Sequence, residues 1–333
     1  MIKFFRKIRQ KLLSENRFNK YLIYAFGEII LVVIGILIAL QINNWNESNQ
    51  NRKKVDKLLV KIQKDIKTDI SQIQRLTEYY RNKDSIILLV LNDKITREEY
   101  ESPNSVQPLH LLILNKEFIR LKKDSYSNLI RMQDQIPPEY DVILDELSTL
   151  YNDLFSYVVN REERFDEESS KFADMLWEKY EWFSEYIPYY ENKKRIDYFL
   201  TNTSYKGLVK AYRTSAIHNY LRISVAYADQ AVSVYEKIDR ILKGKSLNSE
   251  LKLQLNSEFY GNYKTIANQN FPVFKDGYKT FTKNRDTIKL FPFSENKVLM
   301  DRYYLRFSKK EDTTFIYTTG YLFGKKPFAY KID

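Results

Sequence analysis

The chain has 333 residues, no cysteine, and a formal charge of +11. The missing thiols exclude disulfides and cysteine-ligated metal. The charge is concentrated at the two ends: residues 1–20 carry +6 (seven Lys and Arg, one Glu) and residues 245–333 carry +7 (16 basic, 9 acidic), leaving −2 between them.

Residues 1–20 form a basic leader, in which Glu15 is the one acid. Tyr21 to Leu40 follows, with Glu28 as its one charged side chain. Twenty apolar residues at ~1.5 Å each span roughly 30 Å, the thickness of a bilayer's hydrocarbon core. This predicts a transmembrane helix over 21–42. Positive flanks stay cytoplasmic, and Gln41 to Gln50 has no Lys or Arg. The expected location is the inner membrane, with the N-terminus cytoplasmic and the bulk periplasmic. Ala39-Leu40-Gln41 offers no signal-peptide cleavage site. Nucleic acid is excluded as a partner on this topology. Glu28 shares a helix face with Gly35, and Gly35 with Ala39 makes a small-x-x-x-small pair. Two readings stand: a self-association seam bonded through Glu28, or a shallow carboxylate near the head groups. Membrane lipid is the expected partner, with a second copy or another membrane protein as the partner of the seam.

Residues 47–243 read as helices. No glycine lies between Gly35 and Gly207, and prolines divide the stretch into segments of about 47–100, 109–136, 138–187 and 196–243. Apolar residues fall three and four apart in the first (Val55, Leu59, Ile62, Ile66, Ile70, Ile73), the third (Ile143, Leu147, Leu150, Leu154) and the fourth (Tyr220, Ile223, Tyr227, Ala231, Val234, Ile238). Such stripes bury one another in an antiparallel bundle of about four helices.

From Gly244, a natural C-cap, glycine and proline return. Runs such as Tyr303–Phe307, Thr313–Tyr317 and Phe328–Ile332 alternate. They predict a small antiparallel β domain over 248–333, a meander or half-barrel. The fold class is therefore mainly α: a transmembrane helix, a helical bundle, and a β module. The basic β module could touch anionic head groups or an acidic polymer.

Chemistry is sparse. His110 and His218 lack a second ligand at metal spacing and read as structural residues. Glu162 to Glu168 alternates with Arg161 and Arg164 and reads as a solvated helix face. The aromatic cluster at Trp177, Trp182 and Tyr186 is either an interaction surface or core packing at a bundle end. No catalytic, metal or cofactor constellation is found, and an enzyme is not expected.

The run Met1 to Phe18 with Tyr24-Ala-Phe-Gly-Glu28 and Gln41-Ile-Asn-Asn-Trp-Asn-Glu47 closely resembles a family of uncharacterised single-pass proteins common in Bacteroidota. The likeness covers residues 1–54, and Asp124 to Leu129 is similar to that family's Tyr-x-x-Leu segment. It implies location and membership, and no activity. Phe259–Tyr263, Leu290–Ser294 and Phe328–Ile332 are similar to the small β domain appended to some serine-hydrolase-like proteins, an accessory there. Together these point to a non-enzymatic binding or scaffolding protein of the envelope. The alternative is a sensor or signal relay acting through helix association.

Overall fold

The structure, a computed structural model, describes residues 18–103, 109–242, 254–276, 279–283, 286–301, 303–318 and 326–332. Most of the basic leader, Pro108, the cap expected at Gly244 and the turn glycines Gly277, Gly320 and Gly324 lie outside the described residues. The chain divides into two compact units, Met1–Lys57 with Arg131–Glu139, and Leu58–Ile130 with Tyr140–Asp333. In the first unit the side chains from Leu22 to Trp45 are mostly exposed and apolar. Arg52 Nε donates to Glu139 at 2.6 Å.

The expected class is what the structure shows: a long apolar N-terminal helix, several further helices, and a C-terminal antiparallel sheet. Helix α1 spans Phe18–Leu91. Leu59, Ile66, Ile73, Tyr80 and Ile87 repeat every seven residues and are buried, with Ile62, Ile70, Leu76 and Val90 between them. This heptad stripe is the signature of packed helices. The helix stops without glycine. Asp93 takes φ 54°, Lys94 N–H donates to Leu89 C=O and Asp93 N–H to Val90 C=O. That is a Schellman ending with aspartate in the left-handed position. Helix α2, Arg97–Glu101, starts afresh from a Thr96/Glu99 capping box.

The second long helix covers 141–179 as Asp141–Ser148, a π-turn at Thr149–Leu154, and Phe155–Lys179. The third covers 203–242 as Thr203–Arg213, a π-turn at Thr214–Leu221, and Arg222–Leu242. Tyr205, Tyr212, Tyr220, Tyr227 and Tyr235 form one buried column on it. The column steps by seven, eight, seven and eight residues, and the π-turn lies across the first step of eight. Cross-contacts set the directions. Glu146 meets Lys237, Glu162 meets Tyr220 and Glu168 meets Ser215, so the third helix is antiparallel to the second. Asp69 meets Tyr227 and Asp84 meets Arg213, so it is antiparallel to α1 as well.

The segment expected as a helix over 109–136 differs. It holds a 3-10 turn at Leu109–Leu111 and a short helix, α3, at Asp124–Ile130. Between them 115–122 is an extended strap lying along α1. Its backbone is bonded by side chains: Lys83 and Tyr212 donate to Asn115 C=O, and Tyr80 both donates to and accepts from Glu117. Gln72 does the same for Arg120. Ile119 N–H donates to Tyr220 Oη at 3.1 Å. Lys122 N–H donates to Asp69 at 3.1 and 3.3 Å. Extended backbone must place its polar groups somewhere, and the bundle's tyrosines, with Asp69, Gln72 and Lys83, take them.

Eight strands complete the fold in the order β1-β8-β7-β6-β5-β4-β3-β2, all antiparallel. They are β1 Tyr263–Thr265, β2 Val273–Asp276, β3 Lys279–Lys283, β4 Thr287–Ser294, β5 Lys297–Met300, β6 Tyr303–Lys310, β7 Thr313–Thr318 and β8 Ala329–Lys331. Bridges Gly261↔Val273 and Lys264↔Asn270 join the two ends, so the sheet is almost a closed barrel. Val273, Leu290, Val298, Leu305, Phe307, Ile316 and Ala329 fill it. On β4, Leu290, Phe291, Pro292 and Phe293 are buried in succession. Alternation fails there because the strand's outer face is covered by the bundle. Gln74 Nε2 donates to Pro292 C=O at 3.0 Å, at a register shift where proline needs no ladder partner.

Candidate functional site

A groove lies between the third long helix and the barrel. Its larger part, ≈ 200 Å³, is lined by Ile217, His218, Leu221, Leu299 and Tyr304. It continues into ≈ 170 Å³ beside Val225, Ala226 and Phe291. Arg222 and Asp301 border both parts. The π-turn brings Ile217 and His218 to the rim. Asp301 stands at the β5–β6 hairpin turn with φ 52°, the left-handed conformation such short turns require. The walls are mostly apolar, with Arg222 and Asp301 at the waist, His218 in the larger part and the paired Asp229 and Lys289 in the smaller. That suits binding of a small amphipathic group or an extended side chain.

Charged groups lie next to the groove residues His218 and Tyr304. Asp84 accepts from Arg213 Nε at 2.6 Å and Nη2 at 3.4 Å. Arg213 Nη1 lies 3.2 Å from His218 Nε2. A guanidinium can only donate, so Nε2 is the acceptor and His218 carries its proton on Nδ1. Glu78 accepts from Arg81 at 2.8 Å and from Lys297 of β5 at 2.9 Å. Burial works to raise the Glu78 carboxyl, but these two donors hold it below its ordinary range. Burial, with Asp84 nearby, pushes the Tyr304 phenol up. Lys289 pairs with Asp229, and Lys279 donates to Ser233. Bundle and barrel are thus clamped at several points around the groove.

The residues singled out from the sequence are scattered. His110 is buried; its Nε2 lies 3.0 Å from Tyr100 C=O, and burial lowers its pKa to about 4. His218 is the histidine that reaches the groove. Glu162 to Glu168 is not a uniformly solvated face. Glu162 accepts from Tyr220 Oη at 2.7 Å and Glu168 from Ser215, because those two positions turn inward while Glu163, Asp166 and Glu167 stay exposed. The aromatic cluster splits. Trp182 is buried against Tyr180, Tyr198 and Phe199, with Arg195 over its ring. Trp177 and Tyr186 are exposed, and Trp177 packs edge-on to Phe183 at 5.1 Å. In the other unit, Glu28 is half-buried and Ala39 exposed. A Cβ added at Gly35 would meet nothing within 4 Å. Among the described residues no group of three or more His, Cys, Asp or Glu is placed to hold a metal.

The groove, the strap and Arg213 were not foreseen. One signal is the tyrosine spacing of seven and eight along 205–235, which marks a column facing a common partner.

Residues 28–106 match DUF6090, a family of unknown function. The DUF6090 match covers under a quarter of the chain. It takes in the apolar part of α1 from Glu28 onward, the heptad stripe and α2, and it ends before the strap. No curated protein and no solved structure matches the chain. By length and composition α1 is apolar enough to cross a membrane, and the apolar part of it is unburied.

Proposed function

We propose that this is a single-pass inner-membrane protein whose bundle and barrel lie in the periplasm and bind or scaffold an envelope component without catalysing a reaction. The groove carries this reading. Both modules build it, its walls are mostly apolar, and its two central charges, Arg222 and Asp301, can orient a guest. Membership of the Bacteroidota single-pass family, suggested by Tyr24–Glu28 and Gln41–Glu47, agrees with that placement. The test is a photo-reactive residue at Leu299 in the full chain in cells. A discrete adduct, lost on Arg222→Ala, is the expected result. A reporter fused after Asp333 that is active in the cytosol alone, or turnover of an envelope substrate abolished by a point change, would sink the proposal.

One observation favours a signal-relay reading beside it. α1 is a single helix from Phe18 to Leu91, and it carries Asp69, Glu78 and Asp84 as well as Glu28, Gly35 and Ala39. Helix shifts are a known route of transmission. If Glu28→Leu and Gly35→Ile leave both self-association and phenotype unchanged, this reading fails.

A further inference from the structure

Two sets of cations stand out on the barrel. Lys279, Lys289 and Lys297, on β3 to β5, each bond a bundle residue: Ser233, Asp229 and Glu78. Arg306 and Lys310 on β6 and Lys264 on β1 have no carboxylate partner among the described residues.

Register places the second set on one outer face. Ser308, Phe315, Tyr330 and Lys264 are direct cross-strand neighbours over β6, β7, β8 and β1. Arg306 faces Tyr317 in the adjoining row. Side chains two apart share a face, so Lys310 joins Arg306 and Ser308. The Arg306 guanidinium lies 5.2 Å from the Tyr317 ring centre and Lys310 Nζ 5.7 Å from it. Two cations thus share one ring, without a counter-charge between them. Tyr330 beside them is 40% exposed, with its ring open to a flat partner.

We propose that this face binds a polyanionic glycan, with Arg306, Lys310 and Lys264 meeting its carboxylates or phosphates and Tyr330 packing on a sugar ring. Like charges gathered on one face are destabilising until an anion sits among them, and cations in a row attract an anionic chain over a distance set by salt. A lipid surface fits less well. Tyr317 is 7% exposed and Phe315 half-buried, so the rings lying among the cations do not stand out to enter a bilayer, and the exposed Ile266 and Ile332 lie past the ends of β1 and β8. A nucleic acid strand needs several open ring faces in succession, and the face of Tyr317 is already taken by its two cations. This inference concerns a different surface from the groove and does not depend on it.

The test uses the full chain in phosphatidylcholine nanodiscs and four probes: polygalacturonate, dextran, phosphatidylglycerol vesicles and a single-stranded oligonucleotide. Polygalacturonate should bind, more weakly as salt rises, and dextran should not. Arg306→Ala with Lys310→Ala should weaken it about tenfold, and Tyr330→Ala about fivefold with the salt dependence kept. Arg97→Ala with Lys206→Ala removes the same charge from ion pairs on the bundle and should change nothing. The swapped pair Arg306→Lys with Lys310→Arg should retain binding, which separates lost charge from lost folding. The proposal is overturned if polygalacturonate does not bind, if both double alanine variants lose equally, or if only vesicles or the oligonucleotide bind.

Discussion

The strap and the barrel are both extended backbone, and they solve the same problem in opposite ways. In the barrel each strand's N–H and C=O groups meet the next strand, and the bonds repeat with the pleat. In the strap they meet side chains: Asp69, Gln72, Tyr80 and Lys83 from α1, and Tyr212 and Tyr220 from the third helix. The barrel's stability is spread over a core of apolar side chains. The strap's rests on a handful of polar atoms held in the interior. Damage to the first should therefore scale with volume removed, and damage to the second with donors left unpaired.

The largest effect is expected in the barrel. Phe307 is fully buried between Phe259 and Tyr263. Phe307→Ala should cost about 3–5 kcal/mol, seen as loss of barrel signals while α1 stays helical by circular dichroism. Asp69→Ala comes next. It orphans one part-buried donor, the Lys122 N–H, and one buried donor, the Tyr227 hydroxyl (2.9 Å), and should cost about 2–4 kcal/mol in chemical denaturation. If Asp69→Ala were harmless, the strap would not depend on its side-chain partners.

Titration sharpens the contrast, since the strap's partners ionise and the barrel's ladder does not. Burial raises the Asp69 carboxyl to about 7, against the bonds from Tyr227 and Lys122 that favour its charged form. Its folded pKa is above the unfolded value, so its contribution is complete below about pH 4 and is lost as pH rises to about 7. Burial lowers Lys83 to about 7. Its folded pKa is below the unfolded value, so its contribution is complete above about pH 10.5 and is lost as pH falls to about 7. Together they place a dip in stability near neutrality. His110, lowered to about 4 by burial, opposes Asp69 over part of the acid limb. The measurement is therefore the difference between each variant and the parent: Asp69→Asn should flatten the acid side and Lys83→Met the alkaline side. Parallel curves for variant and parent would remove both groups from the account.

The same contrast explains what the sequence could reveal. Glycine and proline returning after Gly244, with alternation in 303–307 and 313–317, mark the barrel because its bonds are local and periodic. The heptad of α1 is legible for the same reason. The strap at 115–122 is not, since its partners lie from 32 to 101 residues away and carry no repeat within the segment itself. Leu111 to Leu114 reads as helix from its neighbours alone. The groove is hidden for a related reason: Ile217 and His218 reach the barrel through a π-turn, and an extra residue in a helix leaves no mark in composition. Phe291 and Phe293, buried outside the barrel, break the alternation of β4 and were the one local hint that the bundle covers it.

Smaller changes within the strap test whether burial, rather than bonding as such, sets the effect. Tyr80 and Gln72 each make a reciprocal pair of bonds to one strap residue, Glu117 and Arg120 respectively. The geometry is similar, with distances of 3.0 and 3.3 Å for Tyr80 and 2.9 and 3.0 Å for Gln72. Their surroundings differ: Tyr80 is fully buried, and the Gln72 pair faces solvent. Tyr80→Phe should cost about 1–2 kcal/mol, because the Glu117 amide and carbonyl sit in a part-buried place where water replaces the lost partner less readily. Gln72→Ala should cost under about 0.5 kcal/mol, because water takes over both bonds to Arg120. Equal costs in the two variants would mean that bond count alone governs the strap, and the distinction drawn between its polar partners and the barrel's apolar core would lose its physical basis.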